Sequence, residues 1–188
     1  MKKSFVIIFL AGSCIYFSAS AQEEKLKFHS INTVGFSDGQ GGRHFLFQTV
    51  NGVASKKWLA GIGFGIDYYR YRSVPLFLDG RRYFGKKGKG FAYADAGFNL
   101  SAKNKPGKEA FYYTSYRFTK GLYTDIGIGY RIKFVRKSSF LMSTGYSYKE
   151  INYKAGTVDP CLVGPCSVNY DYYKYRSGRV ILKAGVDF

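Results

Sequence analysis

Apolar and polar residues alternate over several stretches of this chain, most clearly in its last nine residues. From Val180 to Phe188 the even positions are apolar, while the odd positions include Lys183 and Asp187. The stretch 122–134 repeats the pattern, with aliphatic and aromatic residues on one face and charged residues and glycines on the other. Alternation with a period of two predicts β-strands whose two faces meet different surroundings.

The polar face carries acids, lysines and arginines among glycines, which is the opposite of a soluble barrel with an apolar interior. Lipid on the outside and a polar lumen on the inside account for this pattern. An eight-stranded lumen is only wide enough for side chains, so we expect its charges to form a paired network. The candidate lumen charges are Asp67, Asp79, Asp95, Asp125, Arg131, Lys133, Lys183 and Asp187, together with Arg81, Lys149 and Arg179.

Turn signals divide the chain into eight predicted strands, so we expect an all-β, up-and-down antiparallel transmembrane β-barrel of eight strands. The predicted strands are 26–36, 43–51, 58–71, 74–85, 90–100, 120–135, 139–151 and 172–188. An even number of strands places both termini on one side, the periplasmic side in bacterial barrels. The predicted turns there are short and basic, at 52–57, 86–89 and 136–138, while two of the outer loops, 101–119 and 152–171, are long.

Residues 1–21 have the pattern of a secretory signal peptide. Two lysines precede an apolar run, and Ala19-Ser20-Ala21 supplies small residues for cleavage. Residues 22–188 then form one barrel domain. A lipoprotein signal with Cys14 as the lipidated residue is the alternative. No run of eighteen apolar residues follows the signal, so a spanning helix is not expected.

The chain is strongly basic, with a formal charge of +17 that becomes +15 when the two lysines of the predicted signal are removed. An exported protein meets little nucleic acid, so the expected anionic partner is lipopolysaccharide in the membrane rather than a nucleic acid. Cys161 and Cys166 form a close pair in a predicted outer loop. In an exported chain this pair favours a local disulfide over a metal or redox site.

The last strand, VILKAGVDF, and the segment GLYTDIGIGYRIKF resemble the small outer-membrane β-barrel proteins of the OmpA/OmpX-like, porin-superfamily kind. The resemblance implies a protein in the lipid bilayer of the bacterial cell outer membrane, and we expect this protein to be a monomer. It also implies that Phe188, as a C-terminal aromatic residue, belongs to the signal read by the barrel-assembly machinery. It says little about activity, because this scaffold hosts many functions.

The sequence favours a non-enzymatic protein without a cofactor, metal or catalytic residues, which acts in membrane structure or in surface contact through its outer loops. Three alternatives remain: a lipid A-modifying enzyme, a narrow pore or binder of a small ligand, and a soluble periplasmic barrel that holds a lipophilic ligand. The enzyme would need a histidine base beside an acid and a nucleophile. The two histidines of the mature chain, His29 and His44, lie on the first two predicted strands.

Overall fold

The computed structural model describes residues 26–39, 42–68, 72–101, 115–134, 138–158 and 167–188, and most of them lie in β-strands. In chain order the strands are β1 (Lys27–Gly39), β2 (Gly42–Ala54), β3 (Trp58–Asp67), β4 (Ser73–Phe84), β5 (Gly90–Ser101), β6 (Ser115–Thr119), β7 (Gly121–Lys133), β8 (Ser139–Val158) and β9 (Val168–Asp187). Within these ranges no helix is long and apolar enough to cross a membrane.

The strands form one antiparallel sheet that closes on itself. Strands β1 to β5 pair in sequence, β5 pairs with β7, β7 with β8, and β8 with β9. Strand β9 also pairs with β1, from Asp187 opposite Ile31 to Val180 opposite Asp38. The short β6 continues the line of β7 along β8, so the two act as one strand. The predicted eight-stranded, up-and-down barrel is therefore confirmed.

A β-bulge separates β6 from β7. Thr119 pairs with Asn152 and Tyr123 pairs with Lys149, so three residues lie between the pairs on one side and two on the other. The extra residue bends the strand at this edge of the ring. A Cβ atom at Gly121 would collide with the carbonyl oxygen of Glu150, so the close approach of the two strands requires glycine here.

The two faces of the ring differ as the alternation predicts. Ile126, Ile128 and Leu182 point outward and are 63%, 60% and 62% exposed, whereas Asp125 and Lys183 on the same strands are buried inside the ring. Strand β4 alternates buried and exposed positions along nearly its whole length. The apolar face therefore forms the outer wall, and the charged face encloses the lumen.

Aromatic rings fill much of the lumen between the charges. The rings of Phe77 and Tyr123 lie 5.3 Å apart, and Phe91 packs beside Tyr93 at 6.3 Å. The ring of Phe91 occupies the space that a Cβ atom at Gly129 would take. The inner-face glycines therefore make room for rings on neighbouring strands, and the barrel interior is packed with side chains.

At the end of the barrel away from the chain termini, two strands are longer than the turn signals predicted. The segment 152–171 was expected to be a loop, but β8 continues to Val158 and β9 begins at Val168, with the two paired to their ends. Beyond the pair Glu150–Arg176 the hairpin adds eight further residue pairs. At about 3.4 Å per residue these pairs extend the hairpin roughly 27 Å past the Glu150–Arg176 pair, which we take as the rim of the barrel. The loop prediction is wrong here because exposed hairpin strands need no apolar face.

Candidate functional site: the filled lumen

A buried ion pair lies near the middle of the lumen. The Lys183 ammonium group donates to an Asp125 carboxylate oxygen at 2.8 Å and to the amide oxygen of Gln48 at 3.1 Å. The hydroxyl groups of Tyr93 and Tyr123 also donate to the Asp125 carboxylate, at 3.1 and 3.4 Å. These groups come from β2, β5, β7 and β9, so the contacts connect opposite walls of the ring.

A second charged pair lies on β4. The Arg81 guanidinium group contacts both carboxylate oxygens of Asp79, with Nε at 3.0 and 2.9 Å. The same guanidinium group lies over the rings of Phe91 and Tyr93, at 5.5 and 5.7 Å from their centres. Both charges are buried and paired, as a low-dielectric interior requires. Asp95, on the adjacent strand, is also buried.

The end of the lumen away from the chain termini is closed by a group of short contacts. The Lys149 ammonium group lies 2.6 Å from an Asp67 carboxylate oxygen and 2.9 Å from the Ser73 hydroxyl. The Arg179 guanidinium group donates to the Ser37 hydroxyl at 3.1 Å and lies 3.9 Å from Asp67. A cavity among these side chains measures about 10 Å³. That volume accommodates about one water molecule.

At the opposite end, near the chain termini, an open recess of about 460 Å³ is partly polar. The Nδ1 atom of His29 lies 2.6 Å from an Asp187 carboxylate oxygen. The Arg131 guanidinium group lies 3.7 Å from the other Asp187 oxygen and 4.4 Å from the ring centre of Tyr83. Lys133 is exposed at the end of β7.

Not all of the predicted lumen charges take part in the buried contacts of the lumen. It brings seven of the eight charges into or beside the buried contacts of the lumen: Asp67, Asp79, Asp95, Asp125, Arg131, Lys183 and Asp187. Lys133 shares their face but lies outside these contacts. Sequence reasoning missed the roles of Gln48, Tyr93 and Tyr123. The alternation along their strands could have placed these three residues in the lumen, because each lies on the same face as a charged residue.

Two further predicted positions bear on assembly and oxidation. The backbone N–H of Phe188 donates to the carbonyl oxygen of Ser30 with an N···O distance of 3.0 Å, and that of Ser30 donates to the Phe188 oxygen at 3.2 Å. The Phe188 ring is exposed on the outer wall. Cys161 and Cys166 lie outside the described residues, so their disulfide stays a prediction. Within the described ranges, no three His, Cys, Asp or Glu side chains are grouped so that they could hold a metal ion.

The hairpin that β8 and β9 form beyond the rim carries tyrosines and cations. Tyr153 stacks against Tyr173 with ring centres 5.0 Å apart. The Glu150 carboxylate lies 3.1 Å from the Lys174 ammonium group and 3.5 Å from the Arg176 guanidinium group. Partial burial raises the pKa of Glu150. Hydrogen bonds and the two cations outweigh burial, so the pKa lies below the ordinary value of glutamate.

A closed antiparallel ring with an apolar outer wall and a charged, filled interior defines this chain as a transmembrane β-barrel. Two solved structures are similar to it. The crystal structure of the outer membrane protein OprG from Pseudomonas aeruginosa has a TM-score of 0.48 and 15% identity, covering 85% of this chain and 93% of that chain. The solid-state NMR structure of outer membrane protein AlkL in DMPC lipid bilayers has a TM-score of 0.45 and 13% identity, covering 91% and 92%.

No protein-family model matches the chain, and no curated protein matches it in sequence. Both TM-scores lie below 0.5, so the fold class depends on the strand pairing and the two faces of the ring. The narrower resemblance to OmpA/OmpX-like proteins stays a prediction.

Proposed function

We propose that this chain is a non-enzymatic outer-membrane barrel that does not conduct and that acts through its outer wall and its projecting hairpin. The observation that supports this most is the filled lumen. Charged pairs and aromatic rings occupy it above the recess at the chain termini, and the cavity at its other end has room for about one water molecule. Eight-stranded barrels of this width leave no aqueous channel.

The barrel spans the bacterial outer membrane with its termini in the periplasm. This orientation is supported by the short connection between β2 and β3, where Ser55 donates a backbone hydrogen bond to Trp58, at the same end as the termini. The long β8–β9 hairpin leaves the opposite end and extends outside the cell. Residues 1–21 act as the signal peptide, and the barrel-assembly machinery reads the last strand with Phe188.

Lipopolysaccharide is the partner that the hairpin would meet. Lys154 lies 4.5 Å from the ring centre of Tyr172, and Tyr172 is well exposed. Lys174 and Arg176 lie on the same face, half-exposed and exposed. Cations beside aromatic rings at the height of the sugar and phosphate groups favour contact with an anionic glycolipid. The barrel acts as a monomer in the bilayer.

Planar-bilayer recording of the refolded full chain tests the proposal. We expect no steady single-channel steps, because the contacts of Lys149, Arg179 and Asp67 close the outer end. The double variant Lys149→Ala/Arg179→Ala removes two of these side chains and serves as a positive control for an enlarged lumen. Steady conductance of the unaltered chain would contradict the proposal and favour a narrow pore.

A lipid-modifying enzyme is the second candidate, because the 2.6 Å contact between His29 and Asp187 would orient an imidazole base. This contact lies at the periplasmic end in the proposed orientation, away from the lipid A of the outer leaflet. His29→Ala in cells, with the lipid species measured by mass spectrometry, separates the two candidates. His44→Ala, at the other end of the barrel, is the control. A lipid profile that depends on His29 alone would favour the enzyme.

A further inference from the structure

Three carboxyl groups lie side by side on the inner wall. Asp79 on β4 is directly opposite Asp95 on β5, and Asp95 is directly opposite Asp125 on β7. Directly opposed residues have Cα atoms about 4.5–5.5 Å apart and side chains on the same face. All three residues are buried. The row therefore concentrates three acids in one strip of the lumen.

The two acids at the ends of the row, Asp79 and Asp125, have cationic partners. Asp79 contacts Arg81 through both carboxylate oxygens. Asp125 accepts from Lys183 at 2.8 Å and from the hydroxyl groups of Tyr93 and Tyr123. These contacts are those expected of ionised carboxylates in a low-dielectric interior.

Asp95, in the middle, differs from both neighbours. It is 2% exposed, and neither of its carboxylate oxygens has a hydrogen-bond partner among the described residues. The Lys183 ammonium group is 4.0 Å away, at the limit of an ion pair, and is already bonded to Asp125. The row thus contains three carboxyl groups and two cations. A third buried anion without a partner would be strongly destabilising.

We propose that the row is a binding site for one proton, which resides on Asp95. Two carboxyl groups that share a site keep a proton between them because both cannot ionise side by side. Asp79 is directly opposite Asp95 on the same face, so an O–H on Asp95 would find an Asp79 oxygen as its acceptor. One proton balances the charge of the row with Arg81 and Lys183. It also satisfies an oxygen that otherwise has no partner.

The bound proton has a direct spectroscopic signature. The full chain is refolded in phospholipid vesicles at neutral pH, with and without ¹³C-labelled aspartate, and its infrared spectrum is recorded. We expect the carbonyl band of a protonated aspartic acid, which Asp95→Asn abolishes and Asp187→Asn, outside the row, retains. Absence of this band from the unaltered chain would overturn the proposal, and that measurement does not depend on whether a variant folds.

Stability gives an independent test. Asparagine reproduces the donor and acceptor of a protonated acid, so Asp95→Asn should leave the midpoint of urea unfolding nearly unchanged. Asp125→Asn, the matched control, should lower the midpoint clearly because Lys183 loses its 2.8 Å contact and the Asp95 carboxyl group lies 4.0 Å away. Equal losses in the two variants would overturn the proposal. A midpoint that rises with sodium or potassium chloride, and no longer does so in Asp95→Asn, would identify a metal cation instead of a proton.

Discussion

Replacing Lys183 with methionine tests whether charge pairing holds the lumen together. The ammonium group contacts the Asp125 carboxylate at 2.8 Å and the Gln48 amide oxygen at 3.1 Å, and lies 4.2 Å from the ring centre of Tyr93. Methionine keeps a similar length but removes the charge and the donors. Asp125 then remains as a buried anion without its cation.

Removing one partner of a buried ion pair destabilises a protein by about 3–5 kcal/mol. Since about 1.4 kcal/mol corresponds to a factor of ten, the ratio of folded to unfolded barrel should fall by roughly 10²–10⁴-fold. The double variant Lys183→Met/Asp125→Asn should recover part of this loss, because the unpaired anion is gone.

Urea unfolding in phospholipid vesicles measures the change. The single tryptophan, Trp58, lies half-exposed on the outer wall with the Arg82 guanidinium group 5.1 Å from its ring centre, so its fluorescence reports on insertion. Lys133→Met is the matched control, because exposed Lys133 should change stability by no more than about 0.5 kcal/mol. A loss in Lys183→Met as small as in this control would refute the reasoning.

Three further predictions concern packing, the outer wall and the hairpin. Gly129→Val should lower stability by at least about 1–3 kcal/mol through collision with a neighbouring ring. Gly80→Val is the control in urea unfolding, because a Cβ atom there would meet only the Ala94 carbonyl oxygen at an ordinary 3.8 Å. Ile128→Arg, at mid-bilayer, should lower the free energy of unfolding by about 2–4 kcal/mol in the same assay. Ile132→Arg, near the end of β7, should lower it by only about 0–1 kcal/mol. Carboxyl NMR should show that the pKa of Glu150 lies below the ordinary value for glutamate. The stability that its contacts contribute is then fully present at a pH above that ordinary value, and it is lost as the pH falls through the lowered pKa. An unshifted titration would contradict this.

The sequence was sufficient to predict the barrel wall. Lipid and lumen impose opposite preferences on adjacent residues, so Ile126 and Asp125 already indicate which face is which. The same pattern placed Lys183 and Asp125 on the inner face. It could not identify their contact, because the contact depends on ring closure between residues far apart in the chain. The contact of His29 with Asp187, 158 residues apart, has the same origin.

The alternation of apolar and polar residues does not predict the hairpin, the bulge or the exposure of Lys133. In the proposed orientation the hairpin past Glu150 lies outside the bilayer, where neither face must be apolar, so alternation does not predict its strands. The bulge before Gly121 depends on a one-residue offset against β8, which only the pairing reveals. Lys133 has the parity of an inner-face residue, but its position at the end of β7 leaves it exposed.

Strand β9 supplies charges that strands earlier in the chain need. Lys183, Arg179 and Asp187 on β9 contact Asp125, Asp67 and His29, respectively, all of which belong to earlier strands. Until β9 docks against both β1 and β8, Asp125 and His29 would lack these charged partners in a half-formed wall, and Asp67 would lack Arg179 but keep Lys149. A chain truncated before β9 should therefore resist insertion into lipid, and closure of the barrel and neutralisation of its interior should occur together as one cooperative step.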